Sequence, residues 1–158
     1  MNISPALEDY LESIFIINAK KSSVRVKDMA KFAGVKPPSV IEALNHLQDK
    51  GLVEHEPYGY IELTSEGHKL AESIYEKHNI LKKFFNEILG IDEKTAGEDA
   101  CRIEHYLSKE TLDRIVNFIR FIETAPSAEQ KPNWLNNFHY FMKHNKRPPC
   151  CPKPEKGK

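Results

Sequence analysis

Cys101, Glu104 and His105 stand at i, i+3 and i+4 in a stretch whose pattern predicts a helix over 98–107. That spacing projects a thiol, a carboxylate and an imidazole from one helical face, which is half of a transition-metal site. Ala100, Ile103 and Leu107 fall on another side, so the donor stripe and the packing stripe are separate. Taken alone, the triplet reads more readily as a solvated face with one buried cysteine. His78 adds to it, because it falls inside the apolar stripe of a long helical pattern, where an imidazole must find a partner. A core histidine satisfied by an ordinary hydrogen bond is the plainer alternative. Asp9 and Glu12, at i, i+3 and off the apolar stripe of a first helix, read by themselves as solvated acids.

The elements that must position these groups follow from periodicity and punctuation. Ser4-Pro5 predicts a helix start, with serine as N-cap and proline at the first helical position. Leu7, Leu11, Ile14 and Phe15 form its stripe, which fades near Asn18. Val24-Arg25-Val26 reads as a minimal strand. A short helix from Lys27 to Ala33 is stopped by Gly34, and a second begins at Pro37-Pro38 and ends at Gly51. Val40, Leu44 and Leu47 mark the buried edge of that second helix, with Pro38, Glu42, Asn45 and His46 opposite. Two short helices joined by a tight glycine-containing turn form a helix-turn-helix pattern. Leu52–His55 and Tyr60–Leu63, bracketing Pro57-Tyr58-Gly59, predict a β-hairpin wing.

From Thr64 a long helix is predicted to about Leu89, striped by Leu70, Ile74, Leu81, Phe85 and Ile88 and ended by Gly90. It spans roughly 35 Å. A helix over 109–123, capped by Ser108, carries Leu112, Ile115, Val116, Ile119 and Ile122. Ala125-Pro126-Ser127 breaks the pattern. Trp134, Phe138 and Phe141 suggest one more short helix, and residues 147–158 read as a disordered tail. Cys150 and Cys151 fall in that tail, where a floppy segment outweighs a metal or redox element.

Composition bounds the possibilities. With 158 residues, 40% of them hydrophobic and 29% charged, the chain has room for one or two small domains with real cores. No apolar run is long enough to span a bilayer, and the N-terminus lacks a signal-peptide pattern. Only 3 cysteines are present, two of them adjacent, so no disulfide framework is expected and a reducing cytoplasm fits best. The formal net charge of +0 supplies no overall basic footprint for nucleic acid.

Together, the segments EDYLESIF, VKPPSVIEALNHLQDKGLV, ELTSEGHKLA, EKHNILKKFF and EDACRIEHYLS, spread over residues 5 to 122, resemble the diphtheria toxin repressor family. That family includes iron-dependent repressors and manganese transport regulators. The resemblance implies a mainly α fold: a winged helix-turn-helix domain with a small β-hairpin wing, followed by an all-helical dimerisation domain. It divides the chain into a DNA-binding domain over 1–75, a metal-binding and dimerisation domain over 76–125, and a C-terminal helix and tail over 126–158. It is to the short form, without the SH3-like third domain of longer iron repressors.

The resemblance also implies metal ligands at Asp9, Glu12, His78, Cys101, Glu104 and His105. Asp9 and Glu12 look like the manganese-regulator pattern, whereas Cys101 matches the iron repressors. Carboxylates suit Mn²⁺, while a thiolate favours softer ions. Fe²⁺ is therefore the expected ion and Mn²⁺ the alternative, with Zn²⁺, Co²⁺ or Ni²⁺ as substitutes in vitro. Lys82 and Gly97 stand where family members often carry an acid and a histidine, which argues against an ancillary ion. For DNA, the implied contacts are Lys36, Pro38, Ser39 and Glu42 at the start of the recognition helix. Arg25 and Lys27 are expected phosphate anchors. The expected protein is a cytoplasmic homodimer that binds operator DNA when metal fixes its geometry, probing no membrane and turning over no substrate, and that represses metal-uptake genes. Competing readings are a metal-independent winged-helix regulator sensing oxidation through Cys101, a small metalloenzyme, and an adaptor whose winged helix binds protein.

Overall fold

A computed structural model describes residues 3–21, 23–56, 59–124 and 133–148. The Pro57 and Tyr58 corner of the wing, the break at Ala125-Pro126-Ser127 and the Cys150-Cys151 tail lie outside the described residues. The chain forms two compact units, Met1–Asn79 with Cys101–Tyr106, and Ile80–Ala100 with Leu107–Lys158. The architecture is mainly α, with one antiparallel hairpin among the described residues. No helix among them is long and apolar enough to cross a membrane.

In the first unit α1 runs Pro5–Lys20, α2 Val26–Ala33 and α3 Pro37–Asp49. Ser4 stands at the N-cap of α1 but its hydroxyl makes no capping bond, so Pro5, pre-set to helical φ, starts the helix without that cap. The turn between α2 and α3 needs Gly34, whose φ of 67° lies in the left-handed region. There its neighbour Val35 N–H bonds back to Ala30 O at 3.1 Å, and Lys36 is held extended before Pro37. The wing pairs β1, Val53–His55, with β2, Ile61–Leu63, in the register Val53↔Leu63 and Glu54↔Glu62. The minimal strand expected at Val24 is a single bridge, with Ile61 N–H donating to Val24 O at 2.8 Å.

Helix α4 spans Ser65–Lys83, and Thr64 ties its start to the end of α3's connection. The Thr64 hydroxyl accepts from Gly67 N–H at 3.0 Å and donates to Gly51 O at 2.7 Å. The backbone approaches so closely here that a Cβ on Gly67 would lie 1.8 Å from Leu52 O. Leu11, Ile14 and Ile17 of α1, Met29 of α2, Val40, Leu44 and Leu47 of α3, Val53 and Ile61 of the wing, and Ala71 and Ile74 of α4 form one continuous core. At about 25 cal/mol per Å² of buried apolar surface, this core is the main force holding α1 and α3 in fixed relation.

In the second unit the predicted uninterrupted helix to Leu89 changes hydrogen-bonding pattern. Phe84–Ile88 forms a π-helical turn, with Leu89 N–H reaching Phe84 O at 3.1 Å. Helix α5 runs Glu93–Ile103, not 98–107, and its last turn, from Cys101, belongs to the first unit. Asp92 sets its start by accepting from Thr95 N–H at 3.0 Å. Ser108 opens α6, Lys109–Glu123, by accepting from Thr111 N–H. Between them Tyr106 N–H closes a tight turn onto Ile103 O at 2.9 Å. Helix α7 covers Asn133–His144, where Leu135 is the buried anchor, and His139 bonds Ile88 O at 2.9 Å.

Candidate metal centre and nucleic-acid interface

The turn after α5 changes how the expected triplet works. Cys101 is helical, but Glu104 and His105 have left the helix, and all three belong to the same compact unit as α1 and the first part of α4. The six expected ligands come together there. Glu104 Oε2 accepts from His78 Nδ1 at 2.9 Å. His105 Nε2 lies 2.8 Å from Asp9 Oδ1 and 3.5 Å from Glu104 Oε1. Cys101 Sγ donates to Asp9 Oδ1 at 3.8 Å. Two donor sets, Asp9–Glu104–His105 and Glu12–His78–Glu104, each offer atoms within 4.8 Å of one another and share Glu104.

Burial is where the expectation for α1 is corrected. Glu12 is only 6% exposed and Glu104 3%, so Glu12 is no solvated acid on an open face. It lies beneath Glu104 and His78, in a position that α1's own periodicity does not reveal. Glu8, which sequence reasoning missed, accepts from the other ring nitrogen of His105, with Oε2 2.5 Å from Nδ1. Its only signal was adjacency to Asp9.

Charges crowd this pocket. Burial, then the neighbouring Glu104 carboxylate, pushes the Glu12 carboxyl up to about 7. Burial and the Asp9 and Glu104 charges push the Cys101 thiol up to about 11. Burial pulls the His105 imidazole down, but its hydrogen bonds to Glu8 and Asp9 outweigh this and raise it. All three shifts are upward: burial and neighbouring carboxylates favour the protonated forms of Glu12 and Cys101, and carboxylate hydrogen bonds favour that of His105.

Two buried oxygens test whether a cation fits. Glu12 Oε1 and Glu104 Oε1 accept no hydrogen bond among the described residues. Leaving such groups unmade costs about 1–3 kcal/mol each, so native proteins rarely tolerate them without a purpose. Their donor chemistry, with two imidazoles and a third carboxylate beside them, suits a divalent first-row ion. A cleft of about 540 Å³ lined by Asp9, Glu12, His78 and Cys101, with Tyr10, Ile16 and Phe32, gives an ion access. Lys82 pairs instead with Glu93 at 2.9 Å in the other unit.

The expected DNA-facing residues are all on the surface. Lys36, the α3 N-cap, and Pro38, Ser39 and Glu42 on its first turns are exposed. Arg25 is not a free arm: its guanidinium lies 4.7 Å from the Tyr60 ring centroid and donates to the Tyr60 hydroxyl at 2.9 Å. Lys20 and Lys21 share an open cleft with Arg25 and Lys27, where Lys21 pairs with Asp28 at 2.6 Å. Opposite strands of the wing carry Glu54 and Glu62, both exposed.

Comparison with known proteins gives this geometry its class. Residues 2–61 match the domain described as "Iron dependent repressor, N-terminal DNA binding domain". Residues 64–133 match "Iron dependent repressor, metal binding and dimerisation domain". An HTH-type transcriptional regulator of Methanocaldococcus jannaschii is 41% identical over 118 residues, covering 74% of this chain and 94% of the relative. The HTH-type transcriptional regulator MntR of Lysinibacillus sphaericus is 33% identical over 128 residues, 81% of this chain and 91% of MntR. A manganese-dependent transcriptional repressor, solved in complex with manganese, superposes with TM-score 0.68 at 27% identity over 80% of this chain. The chain spans 58% of that repressor's length. IdeR of T. acidophilum gives TM-score 0.66 at 26% identity, over 76% of this chain and 55% of IdeR.

The protein is thus a metal-dependent, DNA-binding transcription regulator whose partners are double-stranded DNA and a second copy of itself. It belongs to the iron dependent repressor family.

Proposed function

We propose that Asp9, Glu12, His78, Cys101, Glu104 and His105 hold the regulatory cation, that Fe²⁺ is the native ion, and that an occupied site selects the DNA-binding geometry of a homodimer. The observation that carries this is the pair of buried oxygens on Glu12 and Glu104 that accept no hydrogen bond among the described residues. A bound ion supplies the positive charge that these carboxylates lack. Asp9 and Glu12 sit on α1, which packs against α3 through the shared core. Cys101, Glu104 and His105 belong by sequence to the span matching the dimerisation domain. Holding the two groups together fixes the path of the chain from reading head to dimer. Without the ion, repulsion among Asp9, Glu12 and Glu104 loosens it. Half-sites on DNA lie about 34 Å apart or at multiples of that, so a fixed head separation selects operator.

Cys101 supports Fe²⁺, because a thiolate favours softer ions over Mn²⁺. Mn²⁺ is the second reading, favoured by the two preformed donor sets, which contain only oxygen and nitrogen atoms. Zn²⁺, Co²⁺ and Ni²⁺ substitute in vitro. On DNA, Lys36 meets a phosphate or a guanine edge, Pro38 packs on a thymine methyl and Ser39 bonds the backbone. Glu42 accepts from a cytosine amino group, and Arg25 and Lys27 anchor phosphates. The protein works in the cytoplasm, represses metal-uptake genes and turns over no substrate. Functionally the chain divides into a reader over 1–75, a metal and dimer domain over 76–125, and a C-terminal helix and tail over 126–158.

The test is an anaerobic titration of dimer binding to promoter DNA with Fe²⁺, Mn²⁺ and Zn²⁺, repeated with peroxide. Metal should tighten binding, and DNA should tighten metal by the same factor. Operator affinity indifferent to all three ions but lost with peroxide would instead identify a redox switch at Cys101.

A further inference from the structure

We infer that Glu8, which is not among the expected ligands, is a positioning residue for the metal centre: its carboxylate holds His105 so that only Nε2 faces the donor cluster. This rests on the reading of that cluster as a cation site. An imidazole has two nitrogens, and a ligand histidine works only if one of them is reliably aimed at the ion while the ring proton is held on the other. Outer-shell carboxylates commonly supply that constraint by accepting from the other nitrogen.

The geometry here has that form. Glu8 Oε2 lies 2.5 Å from His105 Nδ1, while Nε2 on the opposite edge lies 2.8 Å from Asp9 Oδ1. The His105 side chain is 4% exposed, so no solvent competes to hold the ring. The Glu8 side chain is 19% exposed, and it stands one residue before Asp9 in the first turn of α1. A single rigid helical turn therefore offers one carboxylate to each edge of the same imidazole. His105 sits in a turn, not in a helix, so its own backbone does not restrain the ring in the way α5 restrains Cys101. Glu8 supplies the missing restraint across 97 residues of sequence.

The test uses the full-length dimer carrying Glu8→Ala or Glu8→Gln, with Zn²⁺ and Mn²⁺ as probe ions. Glu8→Ala should weaken ion binding about 10- to 100-fold, the usual effect of losing an outer-shell partner. Glu8→Gln, whose amide oxygen still accepts from Nδ1–H, should recover a large part of that loss. Nitrogen-15 NMR of the histidine ring gives a readout that general destabilisation does not move. In wild type the Nδ1 proton should be retained and slow to exchange, with and without Zn²⁺, and Glu8→Ala should lose that protection. Wild type that binds ions while Glu8→Ala binds them equally well overturns the inference and leaves the metal centre standing. Equal losses in both variants with an unchanged ring signature also overturn it, since Glu8 would then serve only folding. Wild type that binds neither ion removes the cation site itself, and this inference with it.

Discussion

At the scale of single residues, the centre is a set of acids held together against their own repulsion. Glu12 shows the consequence. Its carboxyl, raised to about 7, keeps its proton in the folded metal-free protein well above the ordinary carboxylate range. A raised carboxyl stabilises the fold fully below its unfolded value of about 4.5, and that contribution is lost as pH rises through about 7. The raised imidazole of His105 acts in the same direction. Metal-free protein should therefore lose melting temperature between pH 5 and 8, and Glu12→Gln should flatten that slope. Glu12 must also give up its proton before it can hold a cation. Ion affinity should accordingly climb over the same window, with protons released in calorimetry below pH 7 and fewer above it. A pH-independent affinity would contradict this assignment of Glu12. If Cys101 is the ligand proposed, Cys101→Ala should cost Fe²⁺ and Zn²⁺ affinity more than Mn²⁺ affinity, and an equal loss for all three would remove the thiol from the ligand set. The residue types at 101, 104 and 105 were enough to suggest a metal. Glu8 was not legible, because an acid one position before Asp9 follows no ligand spacing and its partner lies 97 residues away.

At the scale of elements, short-range punctuation did most of the work and its failures have local causes. Gly34, Pro37 and Gly51 marked the helix-turn-helix because each sets a backbone angle that few other residues tolerate. The start of α5 was missed although Asp92 and Thr95 form a cap that can be read from sequence. Its end was overrun because apolar spacing continues through Leu107, while Ser108 needs the chain to turn first. The burial of Glu12 could not be read from α1 at all, since that face is covered by a distant segment. Two predictions belong here. Alanine at Gly67 gains about 1 kcal/mol of helix propensity, but its Cβ would sit 1.8 Å from a backbone oxygen. The clash wins, and chemical denaturation of Gly67→Ala should show a net loss of roughly 2 kcal/mol or more. Lys36→Ala, on an exposed N-cap, should weaken operator binding and lower the salt slope by about 1 while leaving ion affinity unchanged. Loss of both affinities would make Lys36 a structural residue.

At the scale of the whole molecule, the proposed cation would tie the acids of α1 in the reading head to Glu104, in the span that matches the dimerisation domain. The mainly α plan and the wing were legible because each rests on local periodicity and turn residues, whereas the order of the two domains came from the family resemblance. Nothing local specified that Cys101–Tyr106 packs with Met1–Asn79 instead of with the helices on either side of it. That choice is what brings the acids of α1 to Glu104, and the proposed regulation by metal at this site would depend on it. The most direct test is anomalous scattering from crystals of the dimer grown anaerobically with Mn²⁺ or Fe²⁺. The account predicts a peak whose coordination sphere includes Glu104 together with Asp9 and His105, or with Glu12 and His78. An ordered ion elsewhere, with Glu104 left uncoordinated in a fully loaded protein, would contradict it.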